Sequence, residues 1–203
     1  MEKQIPVWDL GVRIFHWSLV ALFTVAYLSG DELETVHAWS GYAVIGLLLF
    51  RIVWGFVGSR HARFTDFIRG PKEVVGYLKS MKAGHPRRYL GHNPAGGAMV
   101  LLLLIGLSLV SYTGLKVYAT EGHGPLAGAG VSLIASAYAD DDDDDEGLDA
   151  EDPAHEFWEE VHELAADFML ILIFLHVAGV VVSSRLEGEN LVRAMITGRK
   201  RAG

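Results

Sequence analysis

Nine histidines are spread over 203 residues, and four of them, His16, His37, His162 and His176, fall in or at the ends of strongly apolar segments. His162 and His176 are fourteen residues apart. On a helix that spacing is about 40° short of four turns and about 21 Å along the axis, so both imidazoles leave one face. Ionisable side chains are uncommon in apolar helices of this kind unless they have a task, and imidazole is a usual protein ligand of haem iron. The chemistry expected of such a two-rung ladder is axial ligation of two stacked haems, each iron held by two histidines. Cysteine is absent. That excludes disulfides, iron–sulfur ligation and the C-x-x-C-H attachment of c-type haem, so any haem here is held without a covalent link.

The elements that must position these residues are apolar helices. With 51% hydrophobic residues and a mean hydropathy of +0.27, the chain is too apolar for a soluble domain of its size. Four segments, residues 12–30, 37–57, 97–115 and 164–184, each approach the roughly twenty residues that cross about 30 Å of hydrocarbon. The first is preceded by Trp8 and Asp9, contains Arg13 and His16, and lacks a small-residue cleavage site, which reads as a retained helix and not a signal peptide. The expected fold is all-α: one integral membrane four-helix bundle over residues 1–203, with a loop at 58–92 and an acidic loop at 117–163. Amphipathic spacing of Val74, Val75, Leu78 and Met81 after Pro71 predicts a short interfacial helix, and a second is expected from Gly188 through Met195.

Charge sets the orientation. Arg60, Arg63, Arg69, Lys72, Lys79, Lys82, Arg87 and Arg88 lie between the second and third segments, and Arg185, Arg193, Arg199, Lys200 and Arg201 follow the fourth, whereas the opposite connections hold only Lys116. By the positive-inside rule both termini and the 58–92 loop are cytoplasmic, and the 117–163 loop is periplasmic. That outer loop carries the run Asp140 to Asp145 followed by further acids up to Glu163. Six adjacent like charges repel one another, so the run is expected to be solvated, or to serve as a landing surface for a basic protein or a weak Ca²⁺ site. The net charge of −8 is uninformative as a total, because its two signs lie on opposite sides. No phosphate-binding glycine motif or nucleic-acid partner is suggested.

Helix direction then pairs the histidines. His16, near the start of an outward helix, and His176, deep in an inward one, both fall in the cytoplasmic half. His37, at the start of an inward helix, matches His162 at the outer side. One histidine at a helix end is ordinarily interfacial; two depth-matched pairs that share one helix are not ordinary. Arg13, three residues before His16, and Arg51, fourteen after His37, are candidate partners of haem propionates, although positive-inside anchoring explains them too. Gly41, Gly46, Gly106 and Gly179 suit the approach of a flat macrocycle or plain helix packing. His92 is expected to cap the third helix and to hydrogen-bond a propionate or a quinone. His61, His85, His123 and His155 are expected to be solvent-exposed.

The motifs Arg13-Ile14-Phe15-His16-Trp17, Val36-His37-Ala38-Trp39-Ser40-Gly41 through Arg51, Gly91-His92-Asn93-Pro94 and Glu121-Gly122-His123-Gly124-Pro125, together with His162 and His176, resemble the dihaem cytochrome b561 family of bacteria, in particular the b-type membrane subunits of nickel–iron hydrogenases. The resemblance covers nearly the whole chain, the Asp run excepted. It implies a multi-pass inner-membrane protein with two haems b on His16, His37, His162 and His176, passing electrons between a periplasmic partner and the quinone pool; the acidic outer loop suggests a basic partner, such as a c-type cytochrome. Three other readings stay open on the residues alone: a superoxide:quinone oxidoreductase, a haem-free metal-ion or proton transporter, and a structural anchor for a soluble redox complex.

Overall fold

The computed structural model describes residues 3–30, 32–127 and 152–202. Four helices are long and apolar enough to cross a membrane: α1 (Leu10–Ser29), α2 (Glu34–Val57), α5 (Pro94–Thr120) and α6 (Pro153–Glu187). Between α2 and α5 come a 3-10 turn at Arg60–Ala62, α3 (Phe64–Phe67) and α4 (Pro71–Lys82); α7 (Leu191–Thr197) follows α6. Strands β1 (Gln4–Pro6) and β2 (Arg199–Arg201) form a two-stranded antiparallel sheet in which Ile5 faces Lys200. The all-α membrane architecture expected from the sequence is the one observed.

Local chemistry explains most helix starts. Asp9 Oδ1 accepts the Val12 amide at 2.9 Å and begins α1; Asn93 Oδ1 accepts the Gly96 amide at 2.7 Å and begins α5; Asn190 Oδ1 accepts the Arg193 amide at 2.8 Å and begins α7. Each side chain satisfies an amide that the first turn leaves without an intrahelical acceptor. Proline stands at the first position of α4, α5 and α6, where its missing N–H costs nothing and its fixed φ suits the helix. Helix α7 stops at Gly198, whose φ of +78° is the left-handed conformation that glycine adopts without a Cβ clash.

Two expected boundaries move. The outer loop does not extend over 117–163, because α5 continues to Thr120 and α6 begins at Pro153. The Asp152-Pro153 pair is the reason: Asp152 Oδ1 accepts the Ala154 amide at 2.9 Å, a helix start set inside an acidic stretch. The 58–92 loop contains the 3-10 turn, α3 and α4. Both short amphipathic helices expected there and after residue 188 are present. The run Asp140 to Asp145 lies outside the described residues.

The chain divides into two compact units, Met1–Ile105 with Ile171–Gly203, and Gly106–Leu170. In the first unit α1 and α2 pack together. Their antiparallel sense is fixed at both ends: Trp54 Nε1 donates to Asp9 at 3.2 Å before α1, and His37 reaches the Ala26 carbonyl at the end of α1. A small core of Val7, Trp8, Val12, Ala62 and Ala194 gathers the start of α1, the 3-10 turn and α7, with Ile5, Trp54 and Met195 against it. Above that end the long helices show large apolar side chains outward, including Trp39 at 72% and Phe174 at 73% exposure. Such bare apolar surface suits lipid and not water.

Candidate functional site

His37 stands in the first turn of α2. Its Nδ1 lies 2.9 Å from the Ala26 carbonyl oxygen, in the last turn of α1. A carbonyl only accepts, so Nδ1 carries the proton, and in the neutral ring Nε2 is the nitrogen with a lone pair. Ser29 Oγ donates to the same carbonyl at 3.2 Å. Helix α1 therefore sets the tautomer of a residue on α2.

Farther down α1, His16 comes within electrostatic reach of His176 on α6. His16 Nδ1 is buried with no hydrogen-bond partner among the described residues, as are Arg13 Nε, Arg51 Nη1 and His92 Nδ1. Arg13 donates a second nitrogen to the Ile196 carbonyl of α7. Arg51 is 3% exposed, its guanidinium 5.2 Å from the Phe64 ring centre and 5.7 Å from that of Phe67. His92 does not cap α5, because Asn93 holds that position. Instead its ring packs between Trp8, at 4.6 Å, and Phe67, at 4.8 Å. Burial, reinforced by the cations Arg51 and Lys200, pushes the His92 imidazole down to about 3, so it is neutral at ordinary pH.

In the second unit, His162 Nδ1 lies 2.9 Å from Thr113 Oγ1, and the His162 ring sits against Gly114, where a Cβ would be 3.0 Å from Cε1. Seven residues away on each helix the arrangement recurs, with His155 Nδ1 2.9 Å from Thr120 Oγ1. His155 is thus a helical, hydrogen-bonded residue and not an exposed loop histidine. Lys116, the lone base expected on the outer side, has its ammonium 5.1 Å from the Trp158 ring centre.

At the polar end of the first unit, Asp9 gathers donors from the Val12 amide, Trp54 and Ser59. Burial by itself raises its carboxyl, and these hydrogen bonds outweigh that and hold it below the usual carboxylate range. His61, expected to be exposed, pairs instead with Asp66 at 2.8 Å. His123 is open to solvent, with 59% of its side chain exposed, and the exposed His85 ring lies 2.8 Å from the Ala83 carbonyl oxygen.

The structure brings together His16, His176, Arg13, Arg51 and His92 in one unit, with His37 on the same α1–α2 pair. His162 belongs to the other unit. Sequence reading missed Thr113, Asp9 and the sheet; the Asp9 cap and the α1 start were the available signals, whereas Thr113 resembled any small residue of an apolar helix. The side chains present fit a planar, anionic group such as haem. Arg13, Arg51, His16 and His92 bury polar atoms that no group among the described residues satisfies, and a Cβ added at Gly41, Gly46 or Gly179 would meet nothing within 4 Å.

Partly buried histidines in the long apolar helices, with cations near His16 and His92, are what a membrane haem protein requires. The comparison with known proteins agrees: residues 7–198 match the prokaryotic cytochrome b561 family, and the chain belongs to it. It is 25% identical to a "Probable Ni/Fe-hydrogenase B-type cytochrome subunit" of Azotobacter chroococcum mcd 1, over 97% of this chain and 88% of that one. Similarity to the same-named proteins is 30% identity in Azotobacter vinelandii, covering 61% of this chain and 62% of that one, and 25% in Rhizobium leguminosarum bv. viciae, covering 98% and 90%. No solved structure matches the chain. The protein is a multi-pass b-type cytochrome of the bacterial inner membrane, and its work is membrane electron transfer. That membership removes the haem-free transporter from the readings the sequence left open.

Proposed function

We propose that the chain holds two haems b, one on His16 and His176 and the other on His37 and His162, and passes electrons between a redox protein on the periplasmic side and quinone near the cytoplasmic end. When bound, each haem accepts and releases one electron. The observation that carries this reading is the pair of fixed tautomers: His37 and His162 each donate Nδ1–H to an oxygen, the arrangement that orients histidines toward metals and raises their basicity. Arg13 and Arg51 would pair with haem carboxylates, and the neutral His92, flanked by Trp8 and Phe67, would hydrogen-bond a quinone oxygen. The test is a pyridine haemochrome assay with oxidised and reduced spectra of the purified chain. About two low-spin haems per chain are expected from the ligand count; a colourless folded protein would overturn the reading.

For the periplasmic partner we infer a redox protein with a basic docking face. The acidic stretch from Asp140 to Glu163 supports it, since a field of one sign steers an oppositely charged partner. The similar proteins are named as hydrogenase subunits, which supports a protein and not a small molecule as the donor. Replacing Asp140 to Asp145 by Asn is expected to slow electron exchange with a basic c-type cytochrome at low salt, and added salt to slow the unmodified protein alike. Unchanged rates would place docking elsewhere.

A further inference from the structure

Thr113 is 1% exposed on α5, a costly position for a hydroxyl unless the group is used. Its Oγ1 lies 3.0 Å from both the Leu109 and the Val110 carbonyl oxygens. The single hydroxyl proton is therefore committed to the preceding helical turn. Toward His162 Nδ1, 2.9 Å away, the oxygen can only accept, so the imidazole must donate. Gly114 makes the approach possible, because a side chain there would press on the His162 ring.

We propose that Thr113 is a positioning residue that fixes His162 as the Nδ1-protonated tautomer and, through that hydrogen bond, lowers the reduction potential of the haem that His162 holds. The proposal rests on the reading of His162 as a haem ligand. The physical reason is electronic as well as geometric. An imidazole that donates its outer N–H is a stronger electron donor through Nε2, and stronger donation favours the oxidised metal. The relay starts in backbone, runs through one hydroxyl and ends at the ring. His37 obtains the same protonation from a main-chain carbonyl, which a side-chain substitution leaves in place; at His162 the acceptor is a side chain, Thr113. Thr120 and His155 repeat the geometry two turns away, with Glu159 Oε2 3.9 Å from His155 Nε2, and supply an internal control.

The experiment is a redox titration of the full chain with its haems bound, together with haem content and low-temperature magnetic resonance. Thr113→Val keeps the shape and removes the acceptor; it is expected to retain both haems, shift one transition upward by about tenfold in the reduction equilibrium, about 59 mV for one electron, and alter one ferric signal. Thr113→Ser is expected to titrate like the unmodified protein, and Thr120→Val to leave both potentials unchanged. Should Thr113→Val fail to fold, Thr113→Ser against Thr113→Ala isolates the hydroxyl, and equal titrations of those two would overturn the proposal. A shift of equal size from Thr120→Val would overturn it as well, since the cause would be general packing. His162→Ala separates the two failures: loss of one haem with Thr113 variants that titrate alike sinks the positioning role alone, while two retained haems at unchanged potentials sink the ligand reading with it.

Discussion

Two kinds of histidine occupy the apolar helices. At His37 and His162 the Nδ1 proton is held by an oxygen at 2.9 Å; at His16 the Nδ1 atom is buried and has no partner among the described residues, and it shares this with His92 and with atoms of Arg13 and Arg51. The first kind is finished by the polypeptide alone, with ring orientation and tautomer set. The second is finished only by something else, since a buried polar atom without a partner costs about 1–3 kcal/mol. The contrast teaches that one environment was built to tune a ligand and the other to receive an anionic or polar group.

The sharpest way to break this contrast is to remove the histidines. His16→Ala and His176→Ala are expected to abolish one and the same redox transition, and His37→Ala and His162→Ala the other, each leaving about one haem per chain. If His16→Ala and His162→Ala remove the same transition, the pairing is wrong. Next in size is Arg51→Gln, which withdraws a buried cation from the unfinished region. Haem retention, followed as transfer to an apoprotein acceptor, is expected to weaken by roughly ten- to 150-fold, in line with a charge-assisted hydrogen bond of about 1.5–3 kcal/mol. The matched change in the finished region is Gly114→Ala, whose Cβ would stand 3.0 Å from His162 Cε1. It is expected to disturb the His162 haem's magnetic resonance signal and leave the other signal intact.

A pH dependence is expected as well, confined to the unfinished region. His92 is pushed down to about 3, first by burial and then by Arg51 and Lys200. The unfolded chain takes up that proton near pH 6.5, so between about 6.5 and 3 the unfolded state holds more protons and stability falls as pH falls; above that window His92 contributes no slope. Thermal unfolding of the detergent-solubilised protein is expected to show this acid decline, and His92→Gln to flatten part of it. An unchanged profile in the variant would show that His92 does not stay neutral when folded.

Much of this was legible because the signals are local. A run of apolar residues long enough to cross hydrocarbon needs no tertiary information, and neither does the Pro71 to Met81 pattern, which appears as α4. The start of α6 was legible too, in Asp152-Pro153, but an acidic composition obscured a capping pair that depends on two residues only. His61 and His155 were misread as exposed for a different reason. Their partners, Asp66 and Thr120, are 5 and 35 residues away, and nothing in either histidine's own neighbourhood announces them.

The sequence by itself determined the solvent of this protein, the number of its long apolar helices, the lack of any cysteine for covalent haem attachment and the candidate iron ligands, because each follows from composition or from spacing along one helix. Only the tertiary structure decided how those residues are served. It put the Ala26 carbonyl beside His37, Thr113 beneath His162 and the Phe64 and Phe67 rings around Arg51. It also paired Gln4–Pro6 with Arg199–Arg201, holding both ends of the chain together. The physical reason is range. Helix formation is written in neighbours three and four residues apart, whereas the proton position on an imidazole depends on whichever oxygen another helix brings within about 3 Å.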